Sequence, residues 1–234
     1  ALAGIDHSAD CPATKHEDIW MPEDPKKLVQ DGYDAMAAEY AYWASRINDP
    51  ARERWTAFLL ETLPSGAALL DLGCGNGLPS TRELAGRFVV TGVDISIRQI
   101  EAARRHVSAA TFIHSDLMDL EFGTDSFAAV TAFYSLIHLP RDEQPLLIRR
   151  VARWLQPGGY FVAVFGATDS AADVDPDWLG APMYWSHHPP VTNEQMVVDA
   201  GLAIVSSSEE TILEDDQPVS FHWLVARKSA TGSD

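Results

Sequence analysis

The run Asp71-Leu72-Gly73-Cys74-Gly75-Asn76-Gly77 sets an acid and three glycines at alternating positions, directly after the apolar stretch Ala67-Ala68-Leu69-Leu70. Glycine has no Cβ, so backbone N–H groups in such a turn can approach a ligand closely and adopt positive φ at little cost. A helix starting just beyond it adds the positive end of its dipole to the same crevice. Strand, glycine turn and helix in that order make a small-molecule or nucleotide site at the carboxyl edge of a parallel sheet. The spacing bears on which ligand. A dinucleotide fingerprint needs G-x-G-x-x-G, but Leu78 stands at the third position counted from Gly73, and Ser80 at the third counted from Gly75.

Two further acids extend the pattern. Asp94 ends the β-type run Phe88–Asp94, where a carboxylate can accept both hydroxyl hydrogens of a ribose or interact with the start of the next helix. Asp116 follows the run Thr111–His114 and is either a third ligand or a turn-forming acid.

These residues need a scaffold, and the chain supplies strands alternating with helices, the mark of a parallel sheet covered on both faces. The expected strands are Ala68–Leu72, Phe88–Asp94, Thr111–His114, Ala128–Phe133 and Tyr160–Phe165. Helices are expected from Ser80 to Ala85, from Ser96 to Val107 with Ser96 as N-cap, and from Arg141 to Leu155. Ahead of them, one helix runs from Asp24 or Pro25 towards Ile47 with Tyr33, Ala37, Tyr40 and Ala44 on one face. A second opens at Asp49-Pro50 and ends at Pro64-Ser65-Gly66. Residues 167–190 show no helical or strand period and read as a long irregular insertion. A helix over Asn193–Ala200 and two β-rich runs, Ala203–Ser208 and Val219–Ala226, close the chain.

The D-x-G-x-G-x-G pattern, Asp94, Asp116 and the closing antiparallel pair together resemble class I S-adenosylmethionine (SAM)-dependent methyltransferases of the small-molecule type, over roughly residues 28–228. The resemblance implies an α/β, Rossmann-like fold: a mostly parallel seven-stranded sheet, helices on both faces and a C-terminal antiparallel hairpin. It divides the chain into a flexible leader (1–26), a methyltransferase domain (27–228) and a flexible tail (229–234). Within the domain it implies a helical cap (27–63) and a substrate lid (167–190). The implied cofactor is SAM, held around Asp71, Gly73, Cys74 and Gly75, with Asp94 and Ile95 at the ribose. Asp116 would accept from the adenine amine while the Leu117 N–H donates to the ring. Phe133, Tyr134 and Ser135, closing strand four, would lie beside the sulfonium, with backbone carbonyls accepting from the methionine amine. Tyr33-Asp34-x-x-Ala37-x-x-Tyr40 resembles a cap helix whose tyrosine reaches the cofactor carboxylate, although tyrosines at the edge of a core read the same way. Cys74 takes a position where the family carries a small neutral residue under the cofactor; a nucleophilic thiol is the other reading.

The implied reaction is in-line methyl transfer to oxygen or nitrogen of a small-molecule acceptor. Positioning can supply ~7–11 kcal/mol of such a barrier, and a base is needed only when the nucleophile must lose a proton. His138, just after strand four, is the catalytic candidate; a structural bond to a backbone carbonyl is the alternative. Tyr134 at the end of strand four, and Met183, Tyr184, Trp185 and His187 in the insertion, are candidate substrate contacts; the last four read equally as members of a packed aromatic loop. Adjacent His187 and His188 without a carboxylate in register make a poor metal site, so no metal is expected. Two other functions remain open: an NAD(P)-dependent oxidoreductase, opposed by Leu78 and Ser80, and a non-catalytic SAM-binding regulatory protein.

Composition narrows the partners. With 234 residues and 46% hydrophobic content the chain can bury a sizeable core. A formal charge of −17 repels phosphate backbones, so nucleic acid is disfavoured. The one basic cluster, Arg149, Arg150 and Arg153, is expected to face solvent. No apolar run is long enough to span a membrane and no signal-peptide pattern opens the chain. Cys11 and Cys74 sit in different contexts, which favours a reduced, cytoplasmic setting. The oligomeric state is not legible.

Overall fold

A computed structural model describes residues 22–230 of the 234. Of the leader expected over residues 1–26 and the tail expected over 229–234, residues 1–21 and 231–234 lie outside the described residues. Three helices come first: α1 (Pro25–Ala35), α2 (Ala37–Ala44) and α3 (Pro50–Thr62). Asp24 and Asp49 cap α1 and α3 by accepting from the N–H of Lys27 and Arg52, each with proline in the first turn. The single helix expected between Pro25 and Ile47 is two. It breaks at Met36 (φ −101°, ψ 17°), whose side chain is driven into the interior with 2% exposed.

The alternating part follows as β1 (Ala68–Leu72), α4 (Ser80–Ala85), β2 (Val89–Asp94), α5 (Ile97–His106), β3 (Thr111–His114), β4 (Phe127–Ala132), α6 (Gln144–Trp154) and β5 (Leu155–Gly166). β5 starts five residues before the expected Tyr160 because Leu155 pairs with Phe127 ahead of a register shift. The order β3-β2-β1-β4-β5-β9-β8 makes one seven-stranded sheet, in which β9 (Gln217–Lys228) slots antiparallel between β5 and β8 (Leu202–Glu214). Both of its faces are dry. Leu70, Leu72, Val130 and Phe161 face α6 and the short α7 (Pro190–Asp199), whereas Leu69, Val90, Val162 and Val225 pack with Leu59 and Leu84 from α3 and α4. A strand buried on both sides reads as an unbroken apolar run.

Residues 167–190 depart from the expectation of an irregular segment. They form a two-stranded antiparallel hairpin, β6 (Ser170–Trp178) and β7 (Ala181–His187). Its strand state comes from packing: Met183 and Tyr184 are buried against Val29 and Met36. At Gly32 of α1 an added Cβ would lie 2.6 Å from the Pro182 carbonyl oxygen, so only glycine lets the helix sit this close. Among the described residues no helix is long and apolar enough to cross a membrane. Arg149 and Arg153 are exposed as expected, but Arg150 turns inward and donates to the Met118 carbonyl.

Candidate active site

The carboxyl ends of β1, β2, β3 and β4 converge under α1, and the glycine turn lies at their centre. Gly73 adopts φ +72°, and a Cβ there would come 2.2 Å from Ser135 Cβ, so the turn passes directly beneath the end of β4. Ser135 fixes that approach by donating from Oγ to the Leu72 carbonyl at 2.7 Å. Gly75 faces open space, and its N–H donates to Asp94 Oδ2 at 2.8 Å. The other Asp94 oxygen accepts from the Ser96 N–H at 2.9 Å. Each oxygen keeps a lone pair for a further donor. Burial, opposed by those two N–H groups, pushes the Asp94 carboxyl up to about 6.

A cavity of about 640 Å³, mouth included, opens above this turn. Ten of the expected cofactor residues line it: Tyr33, Tyr40, Gly73, Gly75 and Asp94, then Ile95, Asp116, Leu117, Phe133 and Ser135. Asp71 and Cys74 do not reach it. Asp71 lies behind the turn, where its carboxylate accepts from Thr81 Oγ1 at 2.6 Å and Thr131 Oγ1 at 2.8 Å, and burial raises its pKa. Cys74 packs with Ile100, Val107 and Phe112, and burial pushes its thiol well up, so it is protonated and no nucleophile.

Three further residues on these walls carried little signal in the sequence. Gln99, on the inner face of α5 with 1% exposed, leaves both amide atoms unpartnered while lining the cavity. Lys26, in the segment expected to be a leader, sits on the opposite wall 2.7 Å from Asp116 Oδ2 and 3.0 Å from Glu143. Burial works against its charge, but the two acids outweigh it and raise its pKa. Arg52 of α3 is held 3.1 Å from Asp49 and stacks 4.8 Å from the Tyr134 ring centroid. It borders a third cavity, of about 1640 Å³ with its mouth, that also reaches Gly73, Gly75, Asp71 and Cys74.

The expected cap helix is anchored as well as positioned. Asp34 accepts from Ser96 Oγ at 2.5 Å and from the Arg98 N–H at 3.1 Å, an acid placed at the start of α5. The preceding residue, Tyr33, donates from its hydroxyl to His138 Nε2 at 2.9 Å. The direction follows from the other ring nitrogen. His138 Nδ1 lies 2.8 Å from the Tyr184 carbonyl, which only accepts, so Nδ1 carries the hydrogen and Nε2 the lone pair. Burial lowers the His138 pKa to about 4, leaving the ring neutral near pH 7. One ring nitrogen of His138 thus makes the bond to a backbone carbonyl, and the other is held by the Tyr33 hydroxyl on the cavity wall.

His138, Tyr33, Tyr40 and Tyr134 form the shared wall with a second cavity of about 1180 Å³, mouth included. Tyr134 is held at φ +63°, with its hydroxyl donating to Asp49 at 2.6 Å; a non-glycine residue in that region signals stored strain of a kind that clusters at functional sites. Of the four lid candidates, Trp185 and His187 line this second cavity, whereas Met183 and Tyr184 face the buried seam between α1 and the hairpin. His222 is buried in β9, bonded to Asn193 and Ser207, outside all three cavities.

The groups on the first cavity fit an adenosyl cofactor: an ionisable acid with spare lone pairs at a β2 terminus, an orphaned amide and a glycine turn that no Cβ fills. The antiparallel β9 next to β5 departs from the all-parallel order of a dinucleotide-binding sheet. The strand order and the site together define the SAM-dependent methyltransferase fold. Residues 69–159 match the family model described as a methyltransferase domain. The 27-O-demethylrifamycin SV methyltransferase of Amycolatopsis mediterranei is 37% identical over 152 residues, which is 56% of this chain and 55% of that one. The methyltransferase GfsG of Streptomyces halstedii is 36% identical over 151 residues, 57% and 53% of the two chains. The chain thus spans little more than half the length of these relatives. Among solved structures, the 1,6-didemethyltoxoflavin-N1-methyltransferase of Burkholderia thailandensis, with its substrate and S-adenosylhomocysteine (SAH) bound, superposes with a TM-score of 0.67 at 18% identity, covering 97% of this chain and 98% of that one. The fold is thus that of class I SAM-dependent methyltransferases, and residues 69–159 resemble a methyltransferase domain.

Proposed function

We propose that the protein transfers a methyl group from SAM to oxygen or nitrogen of a small organic acceptor, as a single domain from residue 27 to 228. One observation carries this reading: the cavity holding Asp94 and the orphaned Gln99 amide shares a wall of Tyr33, Tyr40, Tyr134 and His138 with a second, aromatic-walled cavity. Asp94 accepts from the ribose hydroxyls through its two free lone pairs. Asp116 and Gln99 face the purine, with the Asp116 oxygen shared with Lys26 or freed from it. Gly73 and Gly75 admit the methionine arm, whose carboxylate is met by Arg52 in the third cavity. Bound there, SAM supplies a methyl carbon already bonded to a sulfonium leaving group.

Acceptor orientation falls to Tyr134, Trp185 and His187 on the second cavity. His138 serves as the proton acceptor, directly or through the Tyr33 hydroxyl that donates to it. A base this weak takes a proton only as the nucleophile is acidified by bond formation, which suits phenols, enols and carboxylic acids better than alcohols. A small molecule and not a nucleic acid is the partner, in keeping with the −17 charge. A cytoplasmic setting belongs to the same reading, supported by the free thiol of Cys74.

Parallel calorimetric titrations with SAM, SAH and NADH test the cofactor, and labelled-methyl transfer to a panel of phenols, carboxylic acids and amines tests the reaction. Tight binding of the two SAM-type ligands alone is expected. Binding of NADH alone would overturn the reading, and SAM binding with no transfer to any acceptor would point to a regulator.

A further inference from the structure

The second cavity is walled unlike the first. Trp178 of β6 stands at its centre, with its ring centroid 5.5 Å from Trp43, 5.3 Å from Trp185 and 6.0 Å from Tyr40. Trp43 is tied across the cavity mouth by donating from Nε1 to Asp215 at 3.0 Å, so α2 and the β8–β9 turn close one side together. Three carboxylates border the same space: Asp173 and Asp175 at the rim, and Glu214 half-buried at the end of β8. Among the described residues, none of the three is in an ion pair. Burial and then neighbouring Asp215 push the Glu214 carboxyl up to about 7, as happens to an acid with no cation beside it. Arg52, the cation on this wall, is paired with Asp49, stacks on the Tyr134 ring and is assigned above to the cofactor carboxylate, so it does not neutralise these three acids.

Aromatic faces attract cations through their quadrupoles, and unpaired carboxylates around an aromatic cage add charge to that preference. We propose that the acceptor carries a positively charged amine, held in the second cavity against Trp43, Trp178 and Trp185 and neutralised by Glu214, Asp173 and Asp175. This rests on the methyltransferase reading and adds the chemical class of its substrate. The charged amine is the handle and not the nucleophile, because a protonated or quaternary nitrogen has no lone pair to offer. Trp185 spans the distance between the two ends, 5.9 Å from the His138 ring and 5.3 Å from Trp178. The atom to be methylated therefore lies about one indole's width from the cation.

The test uses two isosteric phenols that differ in charge alone, (3-hydroxyphenyl)trimethylammonium and 3-tert-butylphenol. Both are titrated into the SAH-saturated protein at physiological salt and followed by tryptophan fluorescence. The cation is expected to bind at least tenfold more tightly. Glu214→Gln, and separately Asp173→Asn with Asp175→Asn, should each shrink that ratio at least threefold while leaving SAH affinity unchanged. Equal binding of the two phenols to an SAH-competent protein would overturn the inference and leave the methyltransferase reading standing. So would discrimination that survives all three substitutions, since it would then come from the acidity of the whole chain. Cation preference in a protein that does not bind SAH would overturn the methyltransferase reading, and with it the assignment of the cation as the acceptor.

Discussion

Replacing Asp94 with asparagine separates the cost of burying a charge from the use made of it. Keeping Asp94 ionised at pH 7.5 costs about 3 kcal/mol, since its pKa moves from 3.8 to about 6 at 1.36 kcal/mol per pH unit. Asparagine removes that cost. That figure is already net of the charge-assisted bonds from the Gly75 and Ser96 N–H groups, which asparagine forgoes. The melting temperature of the free protein should therefore not fall. Cofactor binding weakens instead. Two ribose hydroxyls lose a charged acceptor, a deficit of about 2–3 kcal/mol in total, so Kd for SAH should rise roughly 30- to 150-fold. Calorimetry and thermal denaturation on the same preparation read both quantities. An unchanged Kd with an unchanged melting temperature would show that the ribose lies elsewhere. A fall of more than about 10 °C would show that Asp94 serves the fold and not the ligand.

The raised Asp94 pKa also fixes the sign of a pH effect. A ribose diol favours the ionised acid, so Kd for SAH should stay level above about pH 6.5, rise roughly tenfold per unit below pH 6, and be accompanied by proton release in titrations near pH 6; a flat profile from pH 5 to 8 would refute it. Free-protein stability runs the other way, falling as pH rises from 3.8 towards 6, because the folded state holds the Asp94 proton more tightly. His138→Ala should lower kcat about 10²- to 10⁴-fold with SAH affinity within threefold, and the parent should show no histidine ionisation in kcat between pH 5.5 and 8, as its pKa is about 4. Gly73→Ala meets both a left-handed backbone, worth on the order of 1–3 kcal/mol, and the Ser135 Cβ; urea denaturation should show at least that loss, with SAH binding abolished.

The sheet was legible because its physics is local. Ala68–Leu72 and Phe127–Ala132 are apolar runs covered on both faces, and Asp94, Asp116 and the glycines mark where they stop. What escaped was imposed from a distance. Ser170–Trp178 holds four residues of low strand preference, Asp173, Asp175, Pro176 and Asp177, and becomes a strand because β7 beside it is pinned by α1. Met36 breaks a helix without glycine or proline because its side chain has a buried place to go. Lys26 looked like part of a polar leader until Asp116 and Glu143, some ninety residues and more away in sequence, came to meet it. Gln99 carried no signal, because a polar residue in an amphipathic helix reads as solvent-facing until its face is known to be buried.

The seam at Gly32 bears on the order of events in a turnover. With the Pro182 carbonyl this close to α1, the first helix and the β6–β7 hairpin pack as one body, and that body borders the first and second cavities through Tyr33, Trp178 and Trp185. In the proposed reaction, a roof shared in this way couples the traffic of the two ligands: the nucleoside is expected to enter before the acceptor seals it in, and the spent nucleoside to leave last. Kinetics of this kind are compulsory-order, with SAH competitive against SAM and non-competitive against the acceptor, and solvent viscosity slows the cycle whenever lifting the roof limits it.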